Sequence, residues 1–149
     1  IYHDNGSSVY AKDGQIQASD KNIKQDVNQF DERYENFFFK QKPVTYKFID
    51  GNRVHSGFIS QDIEESLNEC GLTEMDFAGF CKDVKTIQEV DEDGKEISIP
   101  ILDDDGNEIY AYSLRYSEFI ALNTHMLQKA YEKIDRLEKD IAELKKKLG

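Results

Sequence analysis

Long apolar runs are missing from this sequence. No stretch approaches the roughly 20 residues that a membrane-spanning helix needs, so no membrane partner is expected. The start, Ile1-Tyr2-His3-Asp4-Asn5, has no basic region followed by an apolar stretch. It does not read as a signal peptide but as a cut from a longer chain. Positive charge is scarce: 19 Lys and Arg stand against 30 Asp and Glu, for a formal net charge of −11. Such a field repels phosphate backbones, so no nucleic-acid partner is expected. Cysteine is rare. Cys70 and Cys81 have neither CxxC spacing nor neighbouring His, and read as two reduced, buried thiols; sequence does not give their separation, so a disulfide stays open. Nothing calls for a cofactor or a resident metal.

What is present is polar for a compact domain: 38% hydrophobic and 33% charged residues over a chain of 149. One modest core plus an elongated, solvated element fits that balance. In residues 1–18, Tyr2, Val9 and Ile16 suggest short strands, with turn signals at Asn5-Gly6 and Asp13-Gly14. They are too few for a core of their own and look like the end of an upstream β-structure. Val27, Phe30, Tyr34, Phe37 and Phe38 recur at helical spacing, with Asp26, Asp31, Glu32 and Glu35 on the wet side. Pro43 bars that helix from continuing. The run Phe37-Phe38-Phe39 reads as core or subunit interface.

Val44–Ile49 and Arg53–Ile59 read as a hairpin turning at Asp50-Gly51-Asn52. A short helix, Gln61–Cys70, is closed by Gly71, and Leu72–Cys81 has room for another helical turn. Lys85–Val90, Glu96–Leu102 and Glu108–Leu114 suit a three-stranded meander. Its acidic turns, Asp91-Glu92-Asp93-Gly94 and Asp103-Asp104-Asp105-Gly106, miss the ligand spacing of an EF-hand loop and read as solvated hairpin turns.

Ser117–Leu148 is the clearest element. Ile120, Asn123, Leu127, Ala130, Ile134, Leu137, Ile141, Leu144 and Leu148 alternate spacings of three and four. A heptad sustained this long, with charged flanks, predicts a coiled coil and hence a parallel homo-oligomer. The alternative is a seam packed on its own domain, which suits the first two turns but not the charged tail after Tyr131. Ile at a with Leu at d usually favours dimers, so the pattern alone does not yield a trimer.

Ser19-Asp20-Lys21-Asn22-Ile23-Lys24 lies where the β-like tail meets the rest. A serine hydroxyl needs a base to attack, and a lysine can serve when desolvation lowers its pKa towards neutrality. This spacing allows contact across a turn without demanding it. The plain alternative is a helix cap followed by a solvated Lys. His3 and His125 show no cluster.

The chain resembles the intramolecular chaperone domain of endosialidases and related phage tail fibres and spikes, also found in membrane-bound animal transcription factors. The resemblance rests on ordered motifs across residues 19–149. Ser19-Asp20 leads to Lys24; Pro43-Val44-Thr45-Tyr46 follows; then His55-Ser56-Gly57-Phe58-Ile59-Ser60-Gln61; then Leu114-Arg115-Tyr116-Ser117-Glu118-Phe119-Ile120 enters the heptads. Two positions depart from the family pattern. Asn22-Ile23 stands where Arg-Leu is common, and Ser60 where Ala is usual. Neither removes a reacting group, though Asn22 removes a charge that could help depress the pKa of Lys24.

The resemblance implies an α+β homotrimer: a small mixed domain of short antiparallel strands and helices, ending in a long C-terminal coiled-coil helix. It implies residues 1–18 as the end of an upstream β-fibre, 19–116 as a chaperone and autoprotease domain, and 117–149 as the coiled coil. The trimer seam would be Ile120, Leu127, Ile134, Leu137, Ile141 and Leu144. The scissile bond would be Ala18–Ser19, with Ser19 as nucleophile and a partly desolvated Lys24 as base. Asp20 would orient the turn or hold Lys24, or act only as a cap. His55 and Gln61 would support the site, Gln61 as an oxyanion donor, or else be structural; Gly57 would allow close backbone approach. The partners implied are the chain itself and its own upstream fibre. The place would be the host bacterial cytoplasm during phage assembly, with release from the mature virion fibre after cutting. A non-cleaving trimerising foot, a hydrolase of other proteins and the transcription-factor branch are the competing readings.

Overall fold

A computed structural model describes residues 9–11, 14–16 and 18–149. Tyr2, His3 and the Asn5-Gly6 turn lie outside them. Strands β1 (Val9–Ala11) and β2 (Gly14–Ile16) form an antiparallel hairpin with Val9 opposite Ile16. Two strands of three residues each make a hairpin that needs outside support.

Helix α1 is Glu32–Lys40, shorter than the apolar stripe predicts. Asp26, ahead of the stripe, sits at φ 52 in the left-handed region, and Asp31, within it, is extended at φ −91 and ψ 179, so no helix runs from Val27 through to Phe38. Asp31 then starts the helix as its N-cap, its side chain accepting from the Arg33 amide. Val27 is left exposed and Phe30 packs at the core's edge without being helical. Strands β3 (Val44–Tyr46) and β4 (His55–Gly57) form the predicted hairpin in a shorter version. Helix α2 (Ser60–Glu69) follows, and Gly71 at φ 67 closes it as expected of a left-handed C-terminal residue. Residues 72–79 contain turns and no helix.

The meander is corrected. Strands β6 (Thr86–Val90) and β7 (Glu96–Pro100) pair as a hairpin, but β8 (Tyr110–Leu114) pairs with β5 (Phe80–Val84) instead of β7. The β6–β7 hairpin is therefore an excursion between two strands that close behind it. Backbone bonds from Ile101 to Lys85 (2.8 Å), Lys85 to Ile109 (2.8 Å) and Ile109 to Ile101 (2.9 Å) stitch its base. Both acidic turns are closed by their own side chains. Asp91 Oδ1 accepts from the Asp93 and Lys95 amides, and Asp103 Oδ1 from those of Asp105 and Asn107.

Helix α3 (Glu118–Leu148) is the longest element. The core gathers where it crosses α1 and α2. Phe37, Ile63, Leu67, Leu72 and Leu122 are fully enclosed. Phe77 lies edge-on to both Phe37 (5.1 Å) and Phe119 (4.9 Å). Each such ring adds burial and a favourable quadrupole contact. Cys70 and Cys81 are free thiols and half-buried; burial raises the pKa of Cys70.

Candidate functional site

The segment after β2 runs exposed through Ala18, Ser19 and Asp20 into a single 3-10 turn, Lys21–Ile23. Asp20 builds that turn. Its Oδ1 accepts from the Asn22 amide at 2.9 Å, and its carbonyl accepts from Ile23 at 3.2 Å. The Lys24 amide then bonds back to the Lys21 carbonyl at 3.2 Å. This tight turn returns Lys24 over Ser19, and Lys24 Nζ donates to Ser19 Oγ at 2.8 Å. Asp20 is thus a cap that shapes the turn, with its carboxylate on the backbone and not on Lys24.

The partial desolvation expected of Lys24 is not met in the single chain, where both Ser19 and Lys24 are exposed. An ammonium donates to a hydroxyl but cannot take its proton; cover from water, or a second cation close by, is what makes a lysine a base. Ile23, next to Lys24 in sequence, and Val27 are also largely exposed.

His55 and Gln61 stand elsewhere. His55 pairs across the hairpin with Tyr46, stacks on its ring at 5.6 Å and meets Phe48 edge-on at 5.1 Å. Gln61 is exposed in the first turn of α2. Among the described residues, no hydrogen bond joins either one to Ser19 or Lys24. Gly57 does allow a close approach: a Cβ there would meet the Tyr116 hydroxyl at 2.2 Å. That hydroxyl accepts from the Phe58 amide at 3.1 Å. Tyr116 is therefore the post on which the His55–Gln61 segment rests, a role that spacing does not reveal.

The seam residues Ile120, Leu127, Ile134, Leu137, Ile141 and Leu144 are all exposed in the single chain. The first turns of α3 do pack on the domain, but through other residues: Phe119, Leu122 and Met126 are buried. Two apolar stripes thus share the start of α3, one facing inward and one left free. His125, with no cluster in sequence, lies with Nε2 3.1 Å from Glu35 Oε1, and Lys129 holds the other oxygen of Glu35. Lys129 first, then His125, hold the Glu35 carboxyl below its usual pKa. This cluster pins α1 to α3.

Known proteins can now be set beside this geometry. The model of the family Chaperone of endosialidase, a peptidase family by name, matches residues 19–72. No curated protein matches the chain. A solved structure described as a novel intramolecular chaperone is 23% identical, with a TM-score of 0.57 over 77% of this chain and 99% of that one. The carboxy-terminal domain of the bacteriophage T5 L-shaped tail fibre with its intramolecular chaperone domain is 22% identical, with a TM-score of 0.53. That match covers 90% of this chain and 34% of the T5 chain. Residues 19–72 are similar in sequence to the Chaperone of endosialidase family, and most of the chain is similar in fold to these two solved structures.

Proposed function

We propose that this chain is an intramolecular chaperone for an upstream phage tail fibre or spike. In this reading, residues 117–149 trimerise the parent chain, residues 19–116 form the chaperone body, and residues 1–18 are the end of the fibre. The assembled domain then releases itself by cutting Ala18–Ser19, in the host cytoplasm during phage assembly. The observation that carries the reading is the 2.8 Å contact between Lys24 Nζ and Ser19 Oγ, at the start of the segment matching the family.

The chemistry follows from that contact. Once covered, Lys24 gives up its ammonium proton and becomes a neutral amine. It then takes the Ser19 hydroxyl proton as Oγ attacks the Ala18 carbonyl carbon. The carbonyl carbon–nitrogen bond breaks, the Ser19 nitrogen receives the proton, and an ester joins Ala18 to Ser19 Oγ. Water hydrolyses the ester, leaving Ala18 with a carboxylate and Ser19 with its hydroxyl and a free amine. Nucleophile and carbonyl belong to neighbouring residues, so positioning supplies much of the acceleration.

A fibre has reason to need this. Intertwined β-chains pair non-locally, which is slow and exposes aggregation-prone edges. Joining three ends raises their effective concentration, and cutting afterwards makes the folded fibre kinetically trapped. Denaturing mass measurement of wild type beside Ser19→Ala tests the cut: wild type splits after Ala18 and the variant stays whole. Normal splitting of Ser19→Ala would remove the dyad. A parent chain lacking residues 19–149 should be mostly insoluble, and a soluble trimer from it would overturn the chaperone role. The exposure of the dyad in one chain favours a second reading, a trimerising foot that never cuts; a wild-type chain that stays whole after assembly would select it.

A further inference from the structure

Between α1 and α3 lies an open groove of about 1000 Å³. Phe38, Leu127 and Ala130 line it, together with the charged residues Glu132, Lys133 and Arg136. Phe39, at the end of α1, is 74% exposed against Phe38. Leu127 and Ala130 also belong to the heptad seam, so groove and seam are one continuous surface.

The heptad assigns the flanks of α3. With Ile120, Leu127, Ile134 and Ile141 at a, the g flank carries Met126, Lys133 and Asp140, and the e flank carries Tyr131, Glu138 and Lys145. The groove lies on the g flank, where Met126 and Lys133 line it. Tyr131, on the other flank, is 61% exposed. In a parallel, in-register coil each g residue meets the next e residue of its neighbour. That places Lys133 against Glu138 and Asp140 against Lys145, two opposite-charge matches, and brings Tyr131 to the groove wall beside the buried Met126. An antiparallel pair could set Lys133 against Asp140 and Glu138 against Lys145. In that register the second helix ends before reaching Leu127 and Ile120, and their apolar surface stays wet.

We propose that the groove between α1 and α3 seats a second copy of this chain, whose parallel α3 lays Tyr131 against Phe38 and Phe39 and Glu138 against Lys133 and Arg136. The inference rests on the proposed self-assembly and assigns it a direction, a register and an anchor outside the coiled coil. The contact runs from the g flank of one copy to the e flank of the next, a head-to-tail arrangement that closes into a ring.

Sedimentation equilibrium of the 149-residue chain tests it. Lys133→Glu and Glu138→Lys should each weaken assembly about tenfold, and the double exchange should recover to within about threefold of wild type. Phe39→Ser and Tyr131→Ser, both at exposed positions, should weaken assembly by amounts that do not add, because they remove the two sides of one contact. Ile134→Asp, in the seam, should abolish assembly. If Ile134→Asp abolishes it while the double exchange brings no recovery, the docking register is wrong and self-assembly through the seam stands. If Ile134→Asp leaves assembly intact, the seam reading itself falls.

Discussion

At Gly57 a side chain has nowhere to go. A Cβ would sit 2.2 Å from the Tyr116 hydroxyl, and that oxygen is already held by the Phe58 amide. Gly57→Ala should therefore destabilise the fold by about 1–3 kcal/mol in urea titration, through displacement of Tyr116. Tyr116→Phe should cost about 1 kcal/mol, the worth of one hydrogen bond whose donor keeps access to water. Lys24 allows a sharper separation of binding from chemistry. Lys24→Arg keeps a cation able to donate to Ser19 Oγ, but a guanidinium does not release its proton in proteins. Cleavage should stop in that variant while thermal stability and assembly stay at wild-type values. A Lys24→Arg chain that still cuts, read by mass, would exclude Lys24 as the base. The residues of this contact were visible in sequence as a spacing. The contact itself was not, because it depends on the Asp20 cap and the 3-10 turn that bring Lys24 back over Ser19.

Among the elements, α1 depends on polar contacts at its start and along its face. Asp31 caps it, and Asp31→Ala should move the chemical-denaturation midpoint to lower denaturant. Glu35 ties it to α3 through Lys129 and His125, which hold its carboxyl below the usual range. A lowered carboxylate pKa stabilises the fold above the unfolded-state value and loses that effect as pH falls through the folded-state value. Wild type should therefore lose more stability than Glu35→Gln between about pH 7 and pH 3. Equal losses would show that the cluster does not hold α1 on α3. Element type was largely legible along the chain: the β3–β4 hairpin, α2 with its Gly71 cap, and α3 all follow local periodicity and turn residues. The start of α1 was not, since Val27 and Phe30 carry the helical spacing while the extended Asp31 starts the helix only after them. Nor was the pairing of β8 with β5. Strand partners are chosen over distance, and Ile101 and Ile109 bridge the excursion in a way that no local pattern encodes. In α3 the inward stripe of Phe119, Leu122 and Met126 hid beside the heptad, because both have the same spacing and differ only in which face they occupy.

The whole molecule is a small core with most of a long helix left over. The buried stripe ends at Met126, and from there α3 presents a seam left exposed by the described residues. At ~25 cal/mol per Å², covering that seam favours association by several kcal/mol per chain. Ser19 and Lys24 are in the opposite condition: they touch within one chain, and their cover from water is missing there. Ser19 and Lys24 touch, yet both face water together with Ile23 and Val27. Under the proposed function, assembly joins these two deficits: neighbouring copies supply the surface that one chain lacks. In that proposal cutting is tied to completed assembly, which is the order a folding helper requires.

The most direct measurement is the mass of the chain after purification, for wild type and for Ile134→Asp side by side. The account predicts that wild type is cut between Ala18 and Ser19, while Ile134→Asp, folded by circular dichroism but unable to associate, stays whole. An unassociated Ile134→Asp chain cut as fast as wild type would contradict it, because one copy would then suffice to make Lys24 a base.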